Sequence, residues 1–153
     1  MHTQKNELSF LRKLFEKCEK IDSAIPSPSV IGVIYECGGR LAMKDSRYQD
    51  AKAYFYKAFQ AFDQSADYRR KSCLIYYVLA VMLDKKRVEE TSINPFTSEE
   101  TQIYKSDSEV RPFYDLFEAF NSLNLFQFNK VFHENEEYFY KDELNCKKLH
   151  KCK

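Results

Sequence analysis

The chain has 153 residues, one domain's worth by length, and a chain of this size can bury about two-thirds of the surface it exposes when unfolded. Three Gly and four Pro are under half the average share, which counts against a sheet-rich fold with many tight turns, and 44% hydrophobic residues with 13 Phe and 11 Tyr exclude a disordered chain. Basic and acidic residues, 24 against 23, leave a net charge of +1, so no global field draws in nucleic acid or anionic lipid.

From residue 7 to 25, Leu8, Leu11, Leu14, Phe15, Cys18 and Ile21 step by three and four, the stripe of an amphipathic helix ending near Pro26. Ser27-Pro28-Ser29 then supplies cap and first-turn signals for a second helix, which carries Val30, Ile31, Val33, Ile34, Cys37, Gly38, Leu41 and Ala42 and stops at Asp45-Ser46. Tyr48, Ala51, Tyr54, Phe55, Ala58, Phe59 and Phe62 repeat the helical spacing until the polar stretch 63–67. Residues 69–87 predict a fourth helix, basic at its start and apolar through its middle, and 88–96 (VEETSINPF) predict a loop broken at Asn94-Pro95. The apolar run 73–83 is too short for the roughly 20 residues that cross a bilayer, so it reads as a buried helix.

Beyond the loop, 98–103 predicts a short helical turn, and 108–123 a helix with Pro112 in its first turn and Phe113, Leu116, Phe117 and Phe120 on its inner face. Leu125, Phe128, Val131 and Phe132 mark a short helix, and 136–149 predicts a last one. The expectation is an all-α chain of seven or eight antiparallel helices: a helical-repeat domain over 1–140 and a basic, disordered tail over 141–153. Five scattered cysteines, odd in number, fit reduced thiols better than a disulfide framework, and residues 1–20 contain no apolar run of the signal-peptide kind. Cytoplasm and nucleus are the compartments expected.

Gly39, Ala42, Tyr48, Ala51, Phe55 and Ala58 follow the spacing of one tetratricopeptide repeat. The physics of that spacing is packing: small residues at Gly39, Ala51 and Ala58 let two helices approach closely, while Tyr48 and Phe55 fill the grooves that remain. Such a pair cannot bury its outer face alone, so the flanking helices are expected to stack on it as a tetratricopeptide-like solenoid. Gly38-Gly39 has neither the preceding strand nor the further glycines of a phosphate-binding loop, and close helix packing explains it.

Three stretches narrow the reading further. IDSAIPSPSVIGVIYECGGRLAM with the following YQDAKAYFYKAFQAFDQS, then RRKSCLIYYVLAVML, then INPFTSEETQIYKSDSEV, together resemble the COP-nine signalosome subunit 2 family of PCI-domain scaffolds, from about residue 21 to 139. The related proteasome-lid family shares the YFYKAF type of helix and the apolar helix after it. Ile93, Asn94, Pro95 and Phe96, with Tyr104-Lys105-Ser106-Asp107 downstream, are similar to the signalosome family instead. The resemblance implies the helical part of a PCI domain in a non-catalytic subunit that supports cullin deneddylation, without a cofactor. Its implied partners are other signalosome subunits and cullin-type ubiquitin ligases. Family members are longer, with an N-terminal arm and a C-terminal winged helix that are not recognisable here. Residues 85–91 (KKRVEET) look like a small insertion, and KDELNCKKLHKCK after about Tyr140 departs from the family. The other readings are a free-standing peptide-binding adaptor or a proteasome-lid-type PCI subunit.

The remaining chemistry-bearing residues suit bland roles. Cys146, His150 and Cys152 offer three zinc-type ligands, but they match no standard finger and lack a fourth. His133 beside Glu134, Glu136 and Glu137 reads as a solvated helix end rather than an acid–base site. Neither a metal nor a cofactor is expected. Arg40, Lys44 and Arg47, with Arg69, Arg70 and Lys71, form a candidate basic interaction patch for an acidic partner, set against the commoner reading of a solvated rim.

Overall fold

A computed structural model describes residues 27–84 and 94–141, together with Ser9, Arg12, Lys13, Glu16, Lys17 and Lys20, which are helical, as the stripe over 7–25 predicts. All six apolar residues of that first stripe, the 85–91 insertion, Ile93, and the tail with Cys146, His150 and Cys152 lie outside the described residues. The chain divides into two compact units, Met1–Cys73 and Leu74–Lys153. Among the described residues all regular structure is helical, as expected of a helical repeat.

In the first unit, α1 (Pro28–Lys44) and α2 (Tyr48–Gln64) make a hairpin. Pro28 occupies the first position of α1, where its missing N–H costs nothing and its fixed φ suits the helix. Gly32 faces the ring of Phe62, and Gly39 faces the ring of Phe55. Moving along α1 from Gly32 to Gly39 thus matches moving back along α2 from Phe62 to Phe55, so the helices run antiparallel. Each interval of seven residues is close to two helical turns, which brings the same face round again. Ala42, Ala51, Phe55, Ala58, Phe59 and Phe62 have no solvent exposure.

The hairpin closes on a specific turn. Ser46 takes φ 58°, its N–H donates to the Met43 carbonyl (3.2 Å), and the Arg47 N–H donates to the Ala42 carbonyl (2.8 Å). These are the paired bonds of a Schellman motif, which satisfies carbonyls that the last helical turn leaves without partners. The same pair of bonds ends α2, where Ala66 takes φ 52° and the N–H groups of Ala66 and Asp67 donate to Asp63 and Phe62 (3.1 and 2.9 Å). α3 (Arg69–Leu83) follows at once, and its residues Leu74 and Val78–Leu83 are buried.

In the second unit, a turn at Asn94–Thr97 leads into α4 (Glu99–Gln102), which tightens into a 3-10 turn over Ile103–Ser106. The buried Thr101 hydroxyl donates to the Ser98 carbonyl at 3.0 Å, so its burial leaves no unmet bond. α5 (Arg111–Asn121) starts three residues later than the spacing predicts. Residues 108–110 form a turn ahead of it that Asp107 caps, its side chain accepting the Glu109 N–H (2.9 Å) and its carbonyl the Arg111 N–H (2.8 Å). α6 (Leu125–Glu134) and α7 (Glu136–Tyr140) follow. Phe113, Phe132 and Phe139 form a tight aromatic cluster across these three helices, with Phe139 centred 5.0 Å from Phe113 and 5.4 Å from Phe132. A third Schellman turn joins α5 to α6: Leu123 takes φ 57°, and the N–H groups of Leu123 and Asn124 donate to Phe120 and Ala119 (3.2 and 3.1 Å).

Candidate interaction surfaces

Of the residues singled out by repeat spacing, Gly39 and Phe55 meet across the hairpin, and Ala42, Ala51 and Ala58 are buried. Gly39 is the position where bulk is excluded, since a Cβ there would stand 2.7 Å from the Phe55 ring. Gly32 is under equal constraint, at 2.5 Å from Phe62, and lies outside the tetratricopeptide spacing. The signal that finds it is a glycine in a helix interior, which carries an entropic penalty unless something needs the space. Tyr48 stands at the start of α2, half-buried, with its hydroxyl bonded to Ser46 Oγ at 3.4 Å.

The Asn94–Pro95–Phe96 stretch is an anchor in this chain. Asn94 Oδ1 accepts the Phe96 N–H at 2.9 Å, its carbonyl accepts the Thr97 N–H at 3.3 Å and also the Thr97 hydroxyl, and Pro95 at the second turn position presets the backbone. Phe96, 1% exposed, meets Tyr114 of α5 edge-on at 4.9 Å and lies 6.4 Å from Phe117. From the other side of the motif, Lys105 Nζ sits 5.5 Å from the centre of the same Tyr114 ring. The turn at Asn94–Thr97 and the 3-10 turn thus converge on Tyr114, a half-buried residue with no special signal in the sequence.

The candidate basic residues fall into two settings. Lys44 is exposed in the last turn of α1, where a cation suits the helix dipole, and Arg47 beside it pairs with Asp50 (2.8 Å) and Asp45 (3.7 Å). Arg40 pairs with Glu36 at 3.3 Å, Arg69 with Asp67 at 2.8 Å and Arg70 with Asp63 at 3.6 Å, while Lys71 is half-buried. Each of the four arginines thus has a carboxylate within the unit, and an acidic partner would have to compete with it.

The α2–α3 junction is the most ordered of these pairings. Asp67 accepts the Arg69 N–H on Oδ1 (2.9 Å) and both guanidinium donors, Nε at 3.1 Å and Nη2 at 2.8 Å, in a two-pronged fork. Those bonds from the Arg69 side chain and backbone hold the Asp67 carboxyl down at about 2 and push the guanidinium up. The guanidinium also lies 4.6 Å over Phe62, the ring that fills the space left by Gly32. Further along α3, burial, with the charge of Glu36 next, pushes the Cys73 thiol up, so it is no nucleophile at neutral pH.

A cleft of about 380 Å³ lies between Arg12 and Glu16 on one side and Gly38, Leu41 and Tyr54 on the other. Its charges are of both signs, and Arg12 and Arg47 share Asp45. His133 is exposed at the end of α6, its ring 6.1 Å from Phe132. Among the described residues no three His, Cys, Asp or Glu side chains converge in a metal-binding arrangement, and no helix is long and apolar enough to cross a membrane.

No protein-family model matches the chain. Individual proteins do. It is 34% identical over 137 residues to COP9 signalosome complex subunit 2 of Dictyostelium discoideum, covering 90% of this chain and 29% of that protein. It is 34% identical over 144 residues to the Drosophila melanogaster protein of the same name (94% of this chain, 31% of that one), and 36% identical over 110 residues to that of Schizosaccharomyces pombe (72% and 24%). The chain therefore spans under a third of the length of these curated relatives. Over a helical segment of that extent, it is related by sequence to the COP9 signalosome complex subunit 2 family.

Proposed function

We propose that the chain is a non-catalytic scaffold segment of a COP9-signalosome-type assembly, the helical part of a PCI domain that supports cullin deneddylation by holding other proteins in place. One observation carries this reading: 90% or more of the chain aligns with proteins named as subunit 2 of that complex. The chemistry of the described residues agrees with it. Aromatic side chains fill helix seams, the arginines of the candidate patch pair with carboxylates, and the buried thiol of Cys73 is held in its neutral form. Surface complementarity is then the mechanism, and other signalosome subunits and cullin-type ligases are the partners, in cytoplasm and nucleus. Neither nucleic acid nor membrane lipid has a role in it.

Affinity capture of the endogenous protein through an N-terminal tag, with mass spectrometry of what accompanies it, tests the reading. Stoichiometric recovery of several other signalosome subunits is the expected result. Recovery of this chain alone, or with proteins of an unrelated assembly such as the proteasome lid, overturns it.

A further inference from the structure

The three Schellman turns provide an internal control. At the left-handed position two of them carry a small residue, Ser46 or Ala66, and the third carries Leu123. A left-handed backbone disfavours any residue with a Cβ, and an aliphatic side chain gains nothing there from solvent. Leu123 is nonetheless 91% exposed, and two neighbours at the start of α6 share its setting, Leu125 at 66% and Phe126 at 79%. Single exposed apolar residues are ordinary, but three within four positions form a patch. The Ser122 and Asn124 side chains, exposed like the rest of 121–127, hydrogen-bond within the turn itself. The Ser122 hydroxyl donates back to the carbonyls of Glu118 and Ala119 (2.9 and 3.2 Å), and Asn124 Oδ1 accepts the Gln127 N–H at 3.0 Å. Phe120 and Phe128, with ring centres 6.3 Å apart, pack behind the turn. The tip is thus a braced turn in which the Ser122 hydroxyl and the Asn124 side-chain oxygen already have local partners while three apolar side chains stand exposed.

Charge narrows what can cover it. Residues 121–129 (NSLNLFQFN) contain no charged side chain in a chain that is 31% charged. Burying such a tip strands no ion, and its complement is an uncharged apolar pocket rather than a basic or acidic surface. We infer that the Leu123–Leu125–Phe126 tip is a docking knob that inserts into an uncharged apolar pocket on a neighbouring protein subunit; this rests on the reading of the chain as part of a signalosome-type assembly.

The test uses the full chain, tagged and co-expressed with the other signalosome subunits of its own source, beside Leu123→Asn, Phe126→Ser and the double variant. Asn tolerates the left-handed backbone better than Leu, so L123N melts at or above the wild type, and a loss of binding cannot be ascribed to unfolding. The expected result is that the wild type retains the subunits and the double variant binds them at least about tenfold more weakly, as removal of a central apolar anchor does. Equal retention by the double variant overturns the knob while leaving the assembly reading intact. If the wild type itself retains no subunit, both fall. A wild-type dimer in light scattering that the double variant breaks, or flotation with neutral phosphatidylcholine vesicles that it abolishes, overturns the inference in favour of a second copy or a membrane surface.

Discussion

A Cβ on Gly32 would stand 2.5 Å from the ring of Phe62, and Phe62 has no solvent exposure into which to retreat. The same holds at Gly39, 2.7 Å from the equally buried Phe55. In an exposed helix, replacing Gly by Ala stabilises by up to about 1 kcal/mol. Here the sign reverses, because each ring is wedged between helices and must shift with its neighbours. Gly32→Ala and Gly39→Ala are each expected to destabilise by about 1–3 kcal/mol, and Ala51→Leu or Ala58→Leu by a similar amount through overpacking of fully buried sites. Urea denaturation followed by circular dichroism measures this. Unfolding midpoints equal to the wild type would show that the hairpin has room the packing denies.

The left-handed residues of the first two turns move stability the other way. Ser46 and Ala66 hold φ 58° and 52° with a Cβ that the conformation disfavours, and both are exposed. Ser46→Gly or Ala66→Gly removes that strain at some cost in chain entropy, for a net gain of about 1 kcal/mol. Two gains that add in the double variant are the expected outcome of thermal melts, because the sites lie at opposite ends of α2 and share no partner. A loss in either variant would mean that the serine hydroxyl or the alanine methyl makes a contact outweighing the backbone term.

Much of this architecture is legible in the residue spacing. The helices α1 and α2 and the burial of Phe55, Phe59 and Phe62 follow from steps of three and four along 28–64, while the facing of Gly39 and Phe55 is the structure's addition. The capped turn at 107–110 ahead of α5 is a matter of local hydrogen bonding that periodicity does not register. Gly32 escapes because the repeat pattern covers only one glycine of the seam, and Tyr114 because a half-buried tyrosine on a helix looks like any other. The pairing of the arginines is partly readable: Arg40, Arg47 and Arg69 each have their carboxylate within four residues, whereas Arg70 reaches Asp63 across a turn. The exposure of Leu125 is not readable, since its spacing to Phe128, Val131 and Phe132 is that of an inner face.

Phe96 distinguishes an anchor from a contact. Its ring is 1% exposed and held against Tyr114, so no partner reaches it in the folded chain. Phe96→Ala leaves a cavity and is expected to cost about 3–5 kcal/mol, a large share of a small domain's stability. Tyr114→Phe keeps the ring that Phe96 and Lys105 both meet and should cost well under 1.5 kcal/mol. Chemical denaturation of the two variants checks the contrast. Near-native stability for Phe96→Ala would mean that the loop is peripheral to the fold.

Acid should release the α2–α3 junction in a defined window. The Asp67 carboxyl, held by the Arg69 guanidinium and backbone N–H, titrates near 2 in the folded chain against a reference of 3.8. A folded value below the unfolded one means that the carboxylate form is favoured by folding, so its contribution is fully present above pH 4. That contribution declines as pH falls from about 4 to about 2, and below both values it is gone. Asp67→Asn keeps an oxygen that can accept the Arg69 N–H but removes the charge that meets the fork, so the substitution isolates the ionic part. The variant should be less stable than the wild type at pH 7, with the gap narrowing below pH 4 and closing near pH 2. Denaturation midpoints of both proteins at pH 7, 4, 3 and 2 measure this, and a gap that stays constant across that range would assign Asp67 a purely hydrogen-bonding role at the start of α3.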